Sequence, residues 1–101
     1  MESVAILGAT GSIGKSSLDV ISRYPDRFTV YAVTANSSVK KLAQAAKDSG
    51  AKVAVIADKE LLGALQDELK AAGSRAQALA GAKAIDEIAS SPEVDIVIGA
   101  I

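Results

Sequence analysis

One feature constrains the fold of this chain most. It is a short apolar run, followed by three evenly spaced glycines and a helix-like segment. The run is residues 4–7, and Gly8, Gly11 and Gly14 follow it in the sequence GATGSIG. Branched apolar residues ended by a glycine are typical of a buried strand. Residues 12–23 then carry apolar side chains at helical intervals and stop before a proline, which predicts a helix.

The three glycines have separate roles if this turn belongs to a Rossmann unit, which binds dinucleotides. Gly8 permits a tight turn out of the strand, Gly11 lets the backbone approach a pyrophosphate, and Gly14 lets the helix pack closely against the sheet. The backbone N–H groups of Gly11, Ser12 and Ile13 then point at the anion from the helix N-terminus. The hydroxyls of Thr10 and Ser12 add side-chain donors, so Gly8 and residues 10–13 are the predicted cofactor-binding residues.

A one-residue shift of the same turn fits a second motif. ATGSIGKS matches a loose form of the P-loop of ATP- and GTP-binding proteins, with Lys15 on the phosphates and Ser16 on Mg²⁺. That interpretation leaves Gly8 and Gly11 without a role, so the Rossmann interpretation is favoured. A third interpretation is that the glycines serve only the turn.

Apolar runs alternate with helix-like segments along the rest of the chain. The predicted strands are residues 4–7, 27–35, 52–57, 75–81 and 94–101, and the predicted helices are residues 12–23, 39–48, 58–72 and 82–90. This alternation predicts βαβ crossovers and one α/β domain over residues 1–101, a Rossmann-like doubly wound parallel sheet. We expect the strand order 4-3-2-1-5, with ligands bound at the carboxyl ends of the strands.

The residues after the second predicted strand bear on which dinucleotide is bound. A carboxylate there favours NAD, because it binds the adenosine ribose, but Asn36, Ser37 and Ser38 offer only amide and hydroxyl groups. Lys40 and Lys41 fall in the first turn of the next helix, where positive charge opposes the helix dipole unless an anion is present. The pattern therefore predicts the 2′-phosphate of NADP; the alternative is that Ser37 is only an N-cap and the lysines are solvated.

Composition excludes several classes of function. The chain has no Cys and no His, which excludes disulfides, the usual zinc ligands and Ser-His or Cys-His catalysis. A net charge of −1 and three aromatic residues do not favour a nucleic-acid partner. No apolar run is long enough to span a membrane, and Met1 directly precedes the first strand, so we expect a cytoplasmic location.

The last predicted strand, residues 94–101, leaves an apolar edge at the end of the chain. Natural domains normally cover such an edge. We therefore expect the sheet to be incomplete at its C-terminal edge and the chain to be a fragment of a longer enzyme.

Three segments resemble a known enzyme family. ILGATGSIGKSSLDVISRYPDRF (residues 6–28) and AVTANSSVKKLA (residues 32–43) are similar to the N-terminal part of the 1-deoxy-D-xylulose 5-phosphate reductoisomerases. GSRAQALAG (residues 73–81) resembles the segment that follows in that family. Semialdehyde dehydrogenases share GATG and the last glycine but are less similar beyond it.

The resemblance implies an activity for the whole enzyme. Members of the family rearrange 1-deoxy-D-xylulose 5-phosphate and reduce the resulting aldehyde with NADPH to 2-C-methyl-D-erythritol 4-phosphate, in non-mevalonate isoprenoid biosynthesis. The implied partners are this phosphorylated sugar, a divalent Mg or Mn ion and a second subunit of a homodimer. The implied metal ligands and substrate-binding residues lie beyond Ile101, so we expect the chain alone to catalyse nothing.

The resemblance also assigns residues. Thr10, Gly11, Ser12 and Ile13 match the NADPH phosphate turn of the family, and residues 36–38 match its 2′-phosphate end. The family often has a Gly-Lys-Asn or Gly-Arg-Asn run there, whereas this chain has no cation at position 37, and Lys40 or Lys41 is the candidate source of charge. The alternatives are a fragment of a semialdehyde dehydrogenase-type reductase and a non-catalytic nucleotide-binding module.

Overall fold

The alternating strands and helices form one five-stranded parallel sheet in the computed structural model, which describes residues 1–100. In chain order the elements are β1 (Glu2–Leu7), α1 (Ser12–Ser22), β2 (Phe28–Ala35), α2 (Val39–Ser49), β3 (Val53–Ile56), a 3-10 turn (Lys59–Leu61), α3 (Leu62–Ala72), β4 (Gln77–Ala80), α4 (Ala82–Ala89) and β5 (Ile96–Gly99). The strand order is β4-β3-β2-β1-β5, and all neighbours are parallel. The predicted fold class and strand order are confirmed; residue 101 of the last predicted strand lies outside the described residues.

Most boundaries lie within two residues of the predicted ones, and two of the differences arise from hydrogen bonding that apolar periodicity does not reveal. β1 begins at Glu2 rather than at residue 4, since Glu2 N–H donates to the Arg27 carbonyl at 2.9 Å and extends the ladder into polar residues. The predicted helix from residue 58 begins as a 3-10 turn, because the Asp58 carboxylate accepts from the Glu60 N–H at 3.0 Å. The α-helical part starts only after that turn.

The core lies on both faces of the sheet. Along β1, Val4 and Ile6 pack with residues of α1, α2 and α3, whereas Ala5 packs on the opposite face with Ile88 of α4. This alternation follows from the two-residue period of a strand. Because the inner strands are covered on both faces, they read as continuous apolar runs, such as the four buried residues of β3.

β5 forms one edge of the sheet within residues 1–100. A groove of about 580 Å³ lies between α1 and β5, and its apolar lining includes Val4, Ile13, Val20, Phe28, Ile96 and Ile98. We call it the α1–β5 groove. It lies beside β1 and begins at the same end of α1 as the glycine turn.

Candidate functional site

The turn between β1 and α1 requires glycine at its first position. Gly8 has a φ of +84°, in the left-handed region that side chains with a Cβ rarely adopt. Gly11 is the N-cap of α1 with ordinary extended angles, φ −79° and ψ 172°. The chain therefore reverses at Gly8 and enters the helix three residues later, as the glycine pattern predicts.

Gly14 holds the first turn of α1 against the glycine turn. A Cβ at Gly14 would lie 2.3 Å from the Gly8 carbonyl oxygen and 2.7 Å from the Cα of Ala9, which no real contact permits. The close approach predicted for Gly14 is therefore present, but its partner is the backbone of the turn itself. Glycine at this position lets the helix N-terminus come directly to the end of β1.

Gly11 is different, because nothing in the described chain requires it to be glycine. A Cβ there would meet only the Gly8 carbonyl oxygen at 3.8 Å and the Ala100 carbonyl oxygen at 4.0 Å, which are ordinary contacts. Its φ is one that any residue adopts. A methyl group would fit at Gly11 without moving the protein. The absence of a side chain there is therefore explained by a ligand whose phosphates approach the backbone.

The N-terminus of α1 is uncapped within residues 1–100. Its N-cap has no side-chain hydrogen bond, and its first turn contains no acidic residue. The N–H groups of Ser12 and Ile13 have no intrahelical acceptor, by the geometry of a helix start. The Gly11 N–H instead donates to the Gly8 carbonyl at 3.4 Å. The first intrahelical bond runs from the Lys15 N–H to the Gly11 carbonyl, so the free amides of the described chain are those of Ser12, Ile13 and Gly14. The prediction that the Gly11 N–H also points at the anion is corrected by its bond within the turn.

Thr34 near the end of β2 holds the glycine turn and is not among the predicted site residues. Its side chain is only 2% exposed, and its Oγ1 accepts from the Gly8 N–H at 3.1 Å. Its carbonyl accepts from the Ala9 N–H at 2.8 Å. The available signal was a lone polar residue inside an apolar strand, but threonine is common in strands and the signal is weak.

Residues 36–38 follow directly on β2 and are exposed. α2 begins at Val39, and its N-cap is Ser38 rather than Ser37, so the alternative that Ser37 is the N-cap is wrong. Ser37 instead accepts the Val39 N–H at its carbonyl, at 2.9 Å. Within the described chain the Ser38 side chain makes no capping hydrogen bond, although N-cap serines usually make one.

The sheet brings the glycine turn and residues 36–38, the two predicted halves of the site, to the same end, where the carboxyl ends of the strands lie. β1 and β2 are parallel neighbours, paired through Ile6 and Val33, and each ends at the edge where its predicted residues begin. A cleft of about 410 Å³, here called the α1–α2 cleft, runs down from this edge. Its lining includes Thr10, Lys15, Asp19, Lys41, Gln44 and Asp48.

The structure does not support the P-loop interpretation. A P-loop directs its lysine and the following serine at one phosphate and its Mg²⁺ ion. Here Lys15 lines the α1–α2 cleft, whereas Ser16 lines the α1–β5 groove on the other side of the helix. The two side chains therefore face different sides of α1.

Residues 1–100 contain neither a cluster of metal-ligating side chains nor a membrane-spanning helix. No three acidic side chains lie close enough together to hold a metal ion in this part of the chain. No helix of the described residues has the length and apolar character needed to cross a membrane.

The parallel sheet, the crossovers and the glycine turn define a Rossmann-type nucleotide-binding fold. A sequence profile described as 1-deoxy-D-xylulose 5-phosphate reductoisomerase matches residues 4–101. Curated relatives of that name from Cellvibrio japonicus (strain Ueda107) and Janthinobacterium sp. (strain Marseille) are each 46% identical, over 99% and 100% of this chain. The chain belongs to the 1-deoxy-D-xylulose 5-phosphate reductoisomerase family, as the resemblance of its sequence predicted.

Solved structures agree with this assignment. The reductoisomerase of Zymomonas mobilis in complex with NADPH is 51% identical, with a TM-score of 0.89 over 99% of this chain and 26% of its own. A DOX-P reductoisomerase in complex with magnesium is 37% identical, with a TM-score of 0.92 over 100% of this chain and 25% of its own. The chain spans about a quarter of the length of the curated relatives it matches, 25% and 26% for the two named above.

The contact at Gly14 predicts a large difference between two glycine-to-alanine substitutions. Gly14→Ala should lower the free energy of unfolding by about 1–3 kcal/mol, because backbone atoms must move to admit the methyl group. Gly63→Ala, in α3, adds a methyl with nothing within 4 Å, so stability should stay unchanged or rise by up to about 1 kcal/mol. Urea denaturation of both variants measures this, and equal stabilities would contradict the contact.

The hydrogen bond of Thr34 gives a second prediction. Thr34→Val keeps the shape but leaves the Gly8 N–H without its acceptor, at a cost of about 1–3 kcal/mol. Thr34→Ser keeps the hydroxyl and loses one methyl, at a cost of about 0.8 kcal/mol. Amide hydrogen exchange should be faster at Gly8 in the valine variant than in the serine variant. Equal exchange rates would show that the hydroxyl does not hold the turn.

Proposed function

We propose that this chain is the NADPH-binding portion, residues 1–101, of a 1-deoxy-D-xylulose 5-phosphate reductoisomerase. The whole enzyme would isomerise and reduce 1-deoxy-D-xylulose 5-phosphate to 2-C-methyl-D-erythritol 4-phosphate. The observation that carries the proposal is a glycine at position 11 that the fold itself does not require, at an uncapped helix N-terminus. Membership of the family, and the NADPH complex of the Zymomonas mobilis relative, support it.

The residues of the turn fit the diphosphate of a dinucleotide. A pyrophosphate in front of Gly11 would lie against backbone rather than a side chain, where the N–H groups of Ser12 and Ile13 can donate to it. The hydroxyls of Thr10 and Ser12 are further donors. Gly8 contributes by its conformation, since its positive φ places the turn at the end of β1.

The exposed residues after β2 fit the adenosine end of the cofactor. Asn36, Ser37 and Ser38 carry amide and hydroxyl groups at the same sheet edge as the turn. The absence of a carboxylate at these positions favours a ribose that carries a 2′-phosphate, because a carboxylate there would repel it. We therefore assign Gly8, residues 10–13 and residues 36–38 to cofactor binding.

NADPH supplies a hydride when it is bound, and the residues of this chain serve to hold and orient it. We assign no catalytic residue and no metal ligand to residues 1–101. The divalent Mg or Mn ion and the phosphorylated sugar would bind to other parts of the full-length enzyme, which we propose is a cytoplasmic homodimer. The chain alone would then bind the cofactor without catalysis.

Isothermal titration of the purified protein with NADPH, NADH and MgATP tests the proposal. NADPH should bind most tightly. Gly11→Ala should weaken NADPH binding at least tenfold, about 1.4 kcal/mol, because the methyl group would meet the ligand. Thermal unfolding should stay unchanged, because the methyl group makes only ordinary contacts with the protein. Gly63→Ala is the matched control and should bind as the parent protein does. Tighter binding of MgATP than of either dinucleotide would refute the proposal.

A further inference from the structure

The charge needed to select a 2′-phosphate is missing from residues 36–38, which are all neutral. The positive charge must therefore come from other residues that line the site. Lys15 of α1 and Lys41 of α2 line the α1–α2 cleft together with Thr10 of the glycine turn. Lys40, the other cation in the first turn of α2, is exposed and is not part of that lining.

The two lysines lie toward the end of the cleft that is nearest the carboxyl ends of the strands. α1 and α2 both begin at the carboxyl edge of the sheet, and Lys15 and Lys41 fall within four residues of their starts. Asp19 lies one turn further down α1, and Asp48 lies near the end of α2. Positive charge therefore lies at the end of the cleft nearest the carboxyl ends of the strands, which we call its mouth, and negative charge lies further along the helices.

The acidic residues of the cleft form no ion pair with these lysines within the described residues. Asp19 forms an ion pair with Arg23, at 2.8 Å, which is the only salt bridge within residues 1–100. Asp48 accepts from Nε2 of Gln44, at 2.8 Å. Each carboxylate thus has another partner, and the two ammonium groups are available to an external anion.

The position of the lysines is unfavourable for the helices themselves. Neither α1 nor α2 has an acidic residue in its first turn. A cation near a helix N-terminus opposes the helix dipole, so folding alone does not explain this placement. A bound phosphate would turn the same placement into an attraction.

We infer that Lys15 and Lys41 together select NADPH over NADH by binding the 2′-phosphate at the mouth of the α1–α2 cleft. This inference rests on the proposed function. It gives Lys15, which the P-loop interpretation placed on a nucleoside triphosphate, a role at the adenosine end of a dinucleotide. Lys41 replaces the charge that position 37 does not supply.

The test is isothermal titration of NADPH and NADH into the purified protein and into the variants Lys15→Gln, Lys41→Gln and the double variant. Each single variant should weaken NADPH binding by about three- to tenfold, and the double variant by more, while NADH binding changes less than twofold. Lys70→Gln, an exposed lysine of α3, is the charge-matched control and should change neither. Thermal unfolding of Lys41→Gln should be unchanged or raised, which a structural role would not produce.

Several outcomes would overturn the inference and leave the proposed function intact. These are an equal loss of NADPH and NADH binding in the double variant, or a larger effect of Lys40→Gln than of Lys41→Gln. Equal affinity of the parent protein for the two dinucleotides would contradict both the inference and the proposed preference for NADPH. The equal loss would assign the lysines to the shared pyrophosphate. A parent protein that binds neither dinucleotide would instead refute the proposed function.

Discussion

The close contact between α1 and the turn after β1 is the constraint on which the rest of the site depends. Because Gly14 has no side chain, the helix N-terminus comes directly to the Gly8–Ala9 backbone. That contact places the uncapped amides of α1 at the carboxyl end of β1, where the strand order of the sheet changes direction. A bulkier residue at position 14 would separate the N-terminus of α1 from the carboxyl end of β1, and the site would lose the positive potential of the helix dipole there.

The sequence predicted most of the fold because each element has a clear local signal. β3 is a continuous apolar run, and Gly50 and Gly73 end α2 and α3 in left-handed conformations. Two of the differences in boundaries arose where hydrogen bonds rather than apolar side chains decide the structure. The polar start of β1 at Glu2 and the 3-10 turn held by Asp58 are of this kind.

The site was less predictable than the fold, because it depends on contacts between distant residues. The glycine pattern indicated the turn and its exposed neighbours from local sequence alone. It did not reveal Thr34, which makes two hydrogen bonds to the turn. One of them is to Gly8, 26 positions earlier in the chain. Nor did it separate Lys40 from Lys41, since only the packing of α2 beside α1 places one of them in the α1–α2 cleft.

The bonds from Thr34 also have a consequence for the entropy of ligand binding. Two successive amides of the turn are already tied to β2 when the chain has folded. A ligand that enters this turn does not have to order its backbone, which for a flexible loop costs about 1–2 kcal/mol per residue. The turn is preorganised by the sheet. The affinity of the turn for a ligand and the stability of the β1–β2 pair are therefore coupled. A change that destabilises either strand also weakens ligand binding.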